Sequence, residues 1–279
     1  MKVGISLGAL NPRFWVEATE AADQLGYESV WISDHLVLPV HMAGSPHAGQ
    51  DSAPISSDVA VFDPFGYLAF LAGRTSRIRL GTQVFNLGLR HPFVTARAVV
   101  TLDIVSGGRV ELGIGAGWLK AEWDAVGLDF HTRGRRVDEA IDICRRLWRD
   151  EVVEHEGEFF SFPPVRFEPK PAQEGGPPLH VGGDSPAALR RTVRVGDGWL
   201  PMNHALEEIP AAVTRLQALA GEAGRVNPIE VTLASPVQTK DDLSRCAEAG
   251  VNRVIVRPWR RSSEAVDSLR RFAEEVGVE

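Results

Sequence analysis

The length, composition and charge of the chain are those of a globular protein with a substantial core. It has 279 residues, of which 44% are hydrophobic and 24% charged, and a formal net charge of −7. This acidic balance argues against nucleic acid as the main partner, because no basic surplus is available to neutralise phosphates. No run of about 18 apolar residues occurs, which excludes a transmembrane helix and predicts no membrane contact.

The N-terminus and the cysteines predict a cytoplasmic location. The opening stretch, MKVGISLGALNPRF, is too strand-like, and its apolar part too short, for a secretory signal. Cys144 and Cys246 are too few for a disulfide framework, and both fall inside helical patterns. We expect two reduced thiols in the core of a cytoplasmic protein.

Eight short apolar runs alternate with helical patterns along the chain. Most of them lack the alternation of a half-exposed strand, which is typical of a parallel sheet covered on both faces. Eight strands alternating with helices over about 250 residues predict an α/β fold, a (β/α)8 TIM barrel formed by one domain, residues 1–279. A doubly wound open sheet is the alternative. The runs are residues 3–7, 29–33, 78–85, 110–114, 179–182, 198–202, 230–234 and 253–256.

Two segments interrupt this repeat. Residues 39–57, after the second strand, have the composition of a loop. In a barrel such a loop lies on the catalytic face, so the segment is a candidate lid, and a plain solvated loop is the alternative. Residues 151–178, after the fourth strand, contain an aromatic stretch and a proline-rich run, which predict a small hairpin before the fifth strand.

Asp34 and His35 directly follow the second predicted strand. Ionisable residues at the C-terminal end of a barrel strand are typical of catalytic sites, and histidine can exchange a proton near neutral pH. The alternative is that Asp34 caps the following turn and His35 is a core residue. Spacing alone leaves both interpretations open.

Two glycine-rich turns follow the fourth and fifth strands. Gly182, Gly183, Asp184 and Ser185 open a helix, where backbone N–H groups can bind an anion, although a plain tight turn has the same pattern. Barrel phosphate sites usually follow strands seven and eight, so an anion site here is a departure. Residues 113–118 (GIGAGW) lack dinucleotide-fingerprint spacing and leave bare backbone against which a flat group can lie. The eight histidines show no metal-ligand grouping, so we predict no metal site.

Several motifs in order resemble the luciferase-like monooxygenase family, in particular the branch that uses the deazaflavin coenzyme F420. They are Trp31-Ile32-Ser33-Asp34-His35, Leu80-Gly81-Thr82-Gln83-Val84, Arg90-His91-Pro92, residues 101–118, Val181-Gly182-Gly183 and Gly196-Asp197-Gly198-Trp199. The similarity spans essentially the whole chain. The family fold is the barrel that the spacing predicts independently.

The resemblance implies a set of site residues. The cofactor ring would lie against strands two to four, with His35 as acid/base and Asp34 beside the ring. The bond between Gln83 and Val84 matches a cis peptide that lies behind the ring in the family. The other cofactor-binding positions implied are Asn86, Gly117 and Trp118, with a phosphate loop formed by Gly182, Gly183, Asp184 and Ser185. The resemblance also implies a homodimer that pairs through helices early in the chain.

The sequence departs from the family pattern in two places. Relatives that oxidise sugar phosphates carry a glutamate where this chain has Trp118, which disfavours a phosphosugar substrate. Glu122, one helical turn later, can point to the same side, but a surface carboxylate is the favoured interpretation. The mobile segment that longer members insert after strand seven is missing, because residues 230–234 continue through Pro236 directly into a helix near Asp241.

The expected function is hydride transfer between coenzyme F420 and a small apolar substrate. A deazaflavin has carbon where a flavin has its reactive ring nitrogen, so it exchanges a hydride and does not readily form an oxygen adduct. The first alternative is a monooxygenase that uses FMN reduced by a partner enzyme. The second is a non-catalytic barrel that binds the cofactor.

Overall fold

Parallel strands close into a barrel in the computed structural model, which describes residues 1–45, 55–202, 204–235 and 237–278. The strands are β1 (Lys2–Ser6), β2 (Ser29–Ile32), β3 (Arg79–Thr82), β4 (Phe85–Asn86), β5 (Val110–Gly115), β6 (Val153–Glu156), β7 (Ser161–Val165), β8 (Leu179–Gly182), β9 (Gly198–Leu200), β10 (Glu230–Ala234) and β11 (Arg253–Val256).

The order around the barrel is β1, β2, β3, β5, β8, β9, β10 and β11, and β11 pairs back with β1. Pairing between β3 and β5 completes the closure and excludes the open doubly wound sheet. The predicted (β/α)8 barrel is confirmed.

Helices connect the strands and cover the outside of the barrel. Gly26, with a φ of 90°, ends the helix Trp15–Leu25, and Pro92 is the first residue of the helix Pro92–Val105. In the described parts of the chain, no helix has the length and apolarity needed to cross a bilayer. The helices are α1 (Trp15–Leu25), α2 (Pro64–Ala72), α3 (Pro92–Val105), α4 (Lys120–Ala125), α5 (Arg133–Arg149), α6 (Pro186–Val195), α7 (Ile209–Glu222), α8 (Lys240–Glu248) and α9 (Ala265–Val276).

The departures from the predicted repeat are small. The run at 78–85, predicted as one strand, divides into β3 and β4 at Gln83 and Val84. The hairpin predicted within 151–178 is confirmed, since β6 and β7 pair antiparallel. Nine of the nineteen residues of the candidate lid at 39–57, residues 46–54, lie outside the described residues.

The buried apolar side chains form one main cluster that extends along the chain from Val3 to Val276. We therefore propose that the chain is a single domain. Cys144 and Cys246 are buried and free, as predicted, and burial raises the pKa of the Cys144 thiol to about 12.

Trp31 fills the centre of the barrel. Its side chain is fully buried, and a Cβ on Gly81 would overlap its ring, so β3 passes close to the indole only because residue 81 has no side chain. His180 approaches the ring edge-on at 5.7 Å, and the Arg253 guanidinium lies 5.4 Å from its centroid. The indole therefore borders a layer of charged side chains inside the barrel.

This charged layer is held together by Arg253, whose side chain is fully buried. Its guanidinium binds both carboxylate oxygens of Glu28 at 2.9 Å and approaches Glu230 at 2.6 Å. It also lies 3.4 Å from Glu111, which accepts hydrogen bonds from His180 and Arg79. Buried charges are tolerated only when they are paired in this way.

The charged layer lowers the pKa of Glu111. Burial alone would raise its pKa, but the hydrogen bond from His180 and the charges of His180, Arg253 and Arg79 outweigh burial and lower the pKa to about 2. A carboxyl group whose pKa is lowered on folding stabilises the folded state above its ordinary titration range. That stabilisation is lost as the pH falls towards the folded-state pKa.

Replacing Glu111 by Gln is expected to lower the free energy of unfolding by about 3–5 kcal/mol near pH 7, because Arg253 stays buried with less compensating charge. The difference between wild type and variant should shrink as the pH falls from about 4.5 towards 2. Urea unfolding followed by tryptophan fluorescence measures both effects.

The matched control is Glu20→Gln. Glu20 pairs with Arg74 at the surface, where their side chains are 31% and 47% exposed. Loss of this pair should cost less than about 1 kcal/mol at any pH. Equal costs for the two substitutions would contradict a stabilising role for the charged layer.

Candidate active site

The floor of the barrel mouth is apolar. Val84 packs on Trp31, Leu200 and Ile255, above the charged layer. Val84 follows Gln83 across a cis peptide bond, as the family resemblance implied. Val84 fits here because Gly182 has no side chain. A Cβ on residue 182 would lie 2.8 Å from Cγ1 of Val84 and 3.2 Å from the carbonyl oxygen of Ile114. The floor that these four side chains form is apolar.

Asp34 forms an ion pair with Arg90. The guanidinium binds both carboxylate oxygens, at 2.7 and 2.8 Å, and the Asp34 side chain is fully buried. Asn86 completes the arrangement, since its backbone N–H donates to Oδ2 of Asp34 and its side-chain Nδ2 donates to the Asp34 carbonyl, both at 2.9 Å. Asp34 thus holds Asn86 in place and neutralises the charge of Arg90.

His35, the next residue, has different partners. Its Nδ1 lies 3.0 Å from Oε2 of Glu122, and the N–H of Leu36 donates to Oε1 of the same carboxylate at 2.5 Å. Only 1% of the Glu122 side chain is exposed, so the favoured surface interpretation of this residue was wrong. Trp118 stands edge-on to His35, with ring centroids 6.1 Å apart and planes at 87°.

Gly117 brings the bare backbone of the GIGAGW segment close to Asn86. Its φ is +79°, and a Cβ there would lie 3.4 Å from Oδ1 of Asn86 and 2.9 Å from Nε1 of Trp123. That indole nitrogen is buried and has no hydrogen-bond partner among the described residues. Asn86 and Gly117 thus line the same part of the mouth, next to a buried donor that no described protein group satisfies.

The glycine turn after β8 has the form of a helix entry. Ser185 caps α6, accepting a hydrogen bond from the N–H of Ala188 at 3.2 Å. The N–H of Gly183 donates to the Leu200 carbonyl, which ties the turn to β9. The Asp184 carboxylate accepts from the N–H of Met202 at 3.2 Å and lies 3.4 Å from Nε2 of His204. An α-helix N-terminus with a serine cap suits an anion such as a phosphate.

The contacts above join the predicted site residues into one region. Asn86 links Asp34 to Gly117, and the ring of Trp118 meets His35. Val84 links the floor to Gly182, which leads directly into the phosphate-type turn. The mouth thus combines an apolar floor, a stretch of bare backbone and a helix N-terminus. These features fit a planar ring that carries a phosphate, as both F420 and FMN do.

A family model, luciferase-like monooxygenase, matches residues 2–275. The chain belongs to this family. An uncharacterised protein of Mycobacterium tuberculosis is 31% identical over 245 residues, covering 87% of this chain and 84% of that protein. A phthiodiolone/phenolphthiodiolone dimycocerosates ketoreductase of Mycobacterium tuberculosis is 31% identical over 242 residues, which cover 83% of this chain and 63% of that protein. Family membership supports an oxidoreductase activity.

Solved structures confirm the fold. A coenzyme F420-dependent tetrahydromethanopterin reductase from Methanopyrus kandleri superposes with a TM-score of 0.78 at 19% identity. A monooxygenase from Streptomyces bottropensis gives 0.76 at 22% identity. Both alignments cover 99% of this chain and 98% of the other. The TM-scores establish the shared architecture. At sequence identities this low, they do not identify the cofactor of this chain.

The pairing of Asp34 and Arg90 can be tested by stability. Arg90→Met should lower the free energy of unfolding by about 3–5 kcal/mol, because it leaves a fully buried carboxylate without its counter-charge. The double variant Asp34→Asn/Arg90→Met should recover part of this loss, since the unpaired charge is gone. Urea unfolding of the two single variants and the double variant gives the coupling, and simple additivity would contradict the pairing.

Proposed function

We propose that the protein is an oxidoreductase that transfers a hydride between coenzyme F420 and a small apolar substrate. The observation that carries the proposal is the position of His35. It lies at the barrel mouth with one ring nitrogen engaged by a buried carboxylate, beside a strand end that leads to an apolar floor. Hydride transfer needs one group that gives or takes a proton, and a fixed histidine suits that task.

The residues that would hold the cofactor divide by chemistry. Val84 would support the ring from below, and Asn86 and Gly117 would line its edge. The turn at Gly183 and Ser185, with the N-terminus of α6, would bind the phosphate. When bound, the deazaflavin would supply the carbon that accepts or gives the hydride. The preference for F420 rests on the Ser33-Asp34-His35-Leu36 motif and its resemblance to the F420-using branch.

The chain's own contribution is to orient the reactants, exclude water and move one proton. His35 would exchange the proton with the substrate. Leu36 and Met202, which are 38% and 39% exposed, leave apolar surface beside the site that a small apolar substrate can cover. Asp34 would act indirectly, because Arg90 already neutralises it.

The second candidate is a monooxygenase that uses reduced FMN. The turn after β8 suits the phosphate of either cofactor, and the structurally similar protein from Streptomyces bottropensis is a monooxygenase. A direct comparison of the two cofactors separates these functions.

Titration of the purified protein with each cofactor, followed by tryptophan fluorescence, should give tighter binding of F420 than of FMN. Gly182→Ala should weaken that binding about tenfold or more, which corresponds to about 1.4 kcal/mol, because the new Cβ displaces Val84 from the floor. Gly221→Ala is the control, since a Cβ there meets nothing within 4 Å. Tighter binding of FMN would favour the monooxygenase, and binding of neither would contradict both.

Replacing His35 by Asn should slow hydride transfer by about 10²- to 10⁴-fold, the usual contribution of general acid–base catalysis. Cofactor affinity should change little, because the floor and the phosphate turn do not include His35. Stopped-flow absorbance of the bound deazaflavin, recorded as a function of pH, measures the step. His131→Ala, at an exposed position, is the matched control. Full turnover of the Asn variant with an unaltered pH profile would contradict the role of His35.

A further inference from the structure

Glu122 is a buried carboxylate with an unusual set of partners. It belongs to the short helix α4, yet both of its oxygens bind the loop that follows β2: Oε2 lies 3.0 Å from Nδ1 of His35, and Oε1 accepts from the N–H of Leu36. In the regions that the structure describes, no arginine or lysine forms an ion pair with it. Burying a carboxylate is costly unless its charge and lone pairs are used. Here the partners of the carboxylate are the imidazole of His35 and the backbone N–H of Leu36.

This carboxylate decides which nitrogen of His35 is free. An ionised carboxylate can only accept hydrogen bonds, so the Nδ1 of His35 must carry the hydrogen. The neutral ring then has its lone pair at Nε2, which is the atom that can take up a proton. Trp118, edge-on to the ring, restricts its rotation.

The carboxylate of Asp34, the residue before His35, does not orient the imidazole, because its oxygens bind Arg90. Asp34 is fully buried as well, but the bidentate contact with Arg90 balances its charge. Glu122 has no such cationic partner among the described residues, and its Oε2 faces the imidazole of His35 directly, at 3.0 Å from Nδ1.

We propose that Glu122 is a positioning residue that fixes His35 in the Nδ1–H tautomer and leaves Nε2 to exchange the proton. The role in turnover rests on the proposed function. When a substrate hydroxyl is oxidised, Nε2 would take up its proton, and a bound deazaflavin would supply the carbon that accepts the hydride, so that the hydroxyl-bearing carbon becomes a carbonyl carbon. In reduction the same atoms return in the opposite direction. The carboxylate of Glu122 exchanges no proton with the substrate.

The orientation of His35 can be tested without cofactor or substrate. Nitrogen NMR of protein labelled with 15N-histidine distinguishes the two tautomers, and His35→Asn assigns the signal. We expect the wild-type ring to be protonated at Nδ1 when neutral. In Glu122→Gln, the amide can donate as well as accept a hydrogen bond, so the preference for a hydrogen on Nδ1 of His35 should weaken. A wild-type Nε2–H tautomer, or an unchanged tautomer preference in the variant, would overturn the proposal.

The role in turnover is tested by a double-mutant cycle. Glu122→Gln should slow hydride transfer by about 10²-fold or more, with cofactor affinity unchanged. In the His35→Asn background, Glu122→Gln should have no further effect, because it acts through that ring. Asp124→Asn is the control on the same helix, since Asp124 is 53% exposed and pairs with Lys120.

The outcomes separate this proposal from the proposed function. Additive costs of the two substitutions would make Glu122 a merely structural residue and overturn the positioning role. Full turnover of His35→Asn would overturn the acid–base role of His35, and with it any role of Glu122 in turnover. If the wild type binds neither cofactor, the proposed function fails, while the NMR experiment still decides the orientation of His35.

Discussion

The architecture depends on filling the barrel with one large side chain. Trp31 lies between an ionic layer, with Arg253 and His180 against its ring, and the apolar group of Val84, Leu200 and Ile255. A close-packed interior has no room for both an indole and ordinary side chains on the facing strands, which is why β3 carries glycine at position 81. The indole thereby separates buried charge on one side from the floor of the mouth on the other.

Three buried carboxylates have different roles because their counter-charges differ. Glu111 is surrounded by cations, so its charge stabilises the fold and its pKa is low. Asp34 has one bidentate arginine and two contacts with Asn86, so it organises a loop. Glu122 has an imidazole and a backbone N–H. The same functional group at similar burial stabilises the ionic layer at Glu111, orders a loop at Asp34 and holds the imidazole of His35 at Glu122, according to what faces it.

The fold could be predicted from sequence because a covered parallel sheet leaves a strong pattern. Few folds besides a covered parallel sheet produce near-continuous apolar runs at regular spacing. Three of the eight predicted runs have the observed bounds, four differ by one or two residues at one or both ends, and the run at 78–85 divides into β3 and β4. The same pattern did not predict the ionic layer. Arg253 and Glu111 look like charged interruptions of apolar strands, and nothing local shows that they face one another across the barrel.

The site was harder to predict, because its critical contacts join distant residues. Asp34 and His35 are adjacent in sequence, but their partners are 56 and 87 residues away, at Arg90 and Glu122. Helix α4 has only six residues, too few for apolar periodicity to show which side of it is buried. The buried neighbour Trp123 was the one local signal that this short helix packs inward.

The arrangement also determines which part of the barrel mouth would remain for the substrate beside the proposed cofactor. A ring on Val84 with its phosphate at Ser185 would occupy the side of the mouth formed by β3, β5 and β8. The ends of β9 and β11 would then border the remaining space, and the side chains there, Leu200 and Ile255, belong to the apolar floor. On the β2 side, His35 would border the same mouth. A substrate bound there would meet the apolar floor and the imidazole of His35, which suits a small, weakly polar molecule oxidised or reduced at a single carbon.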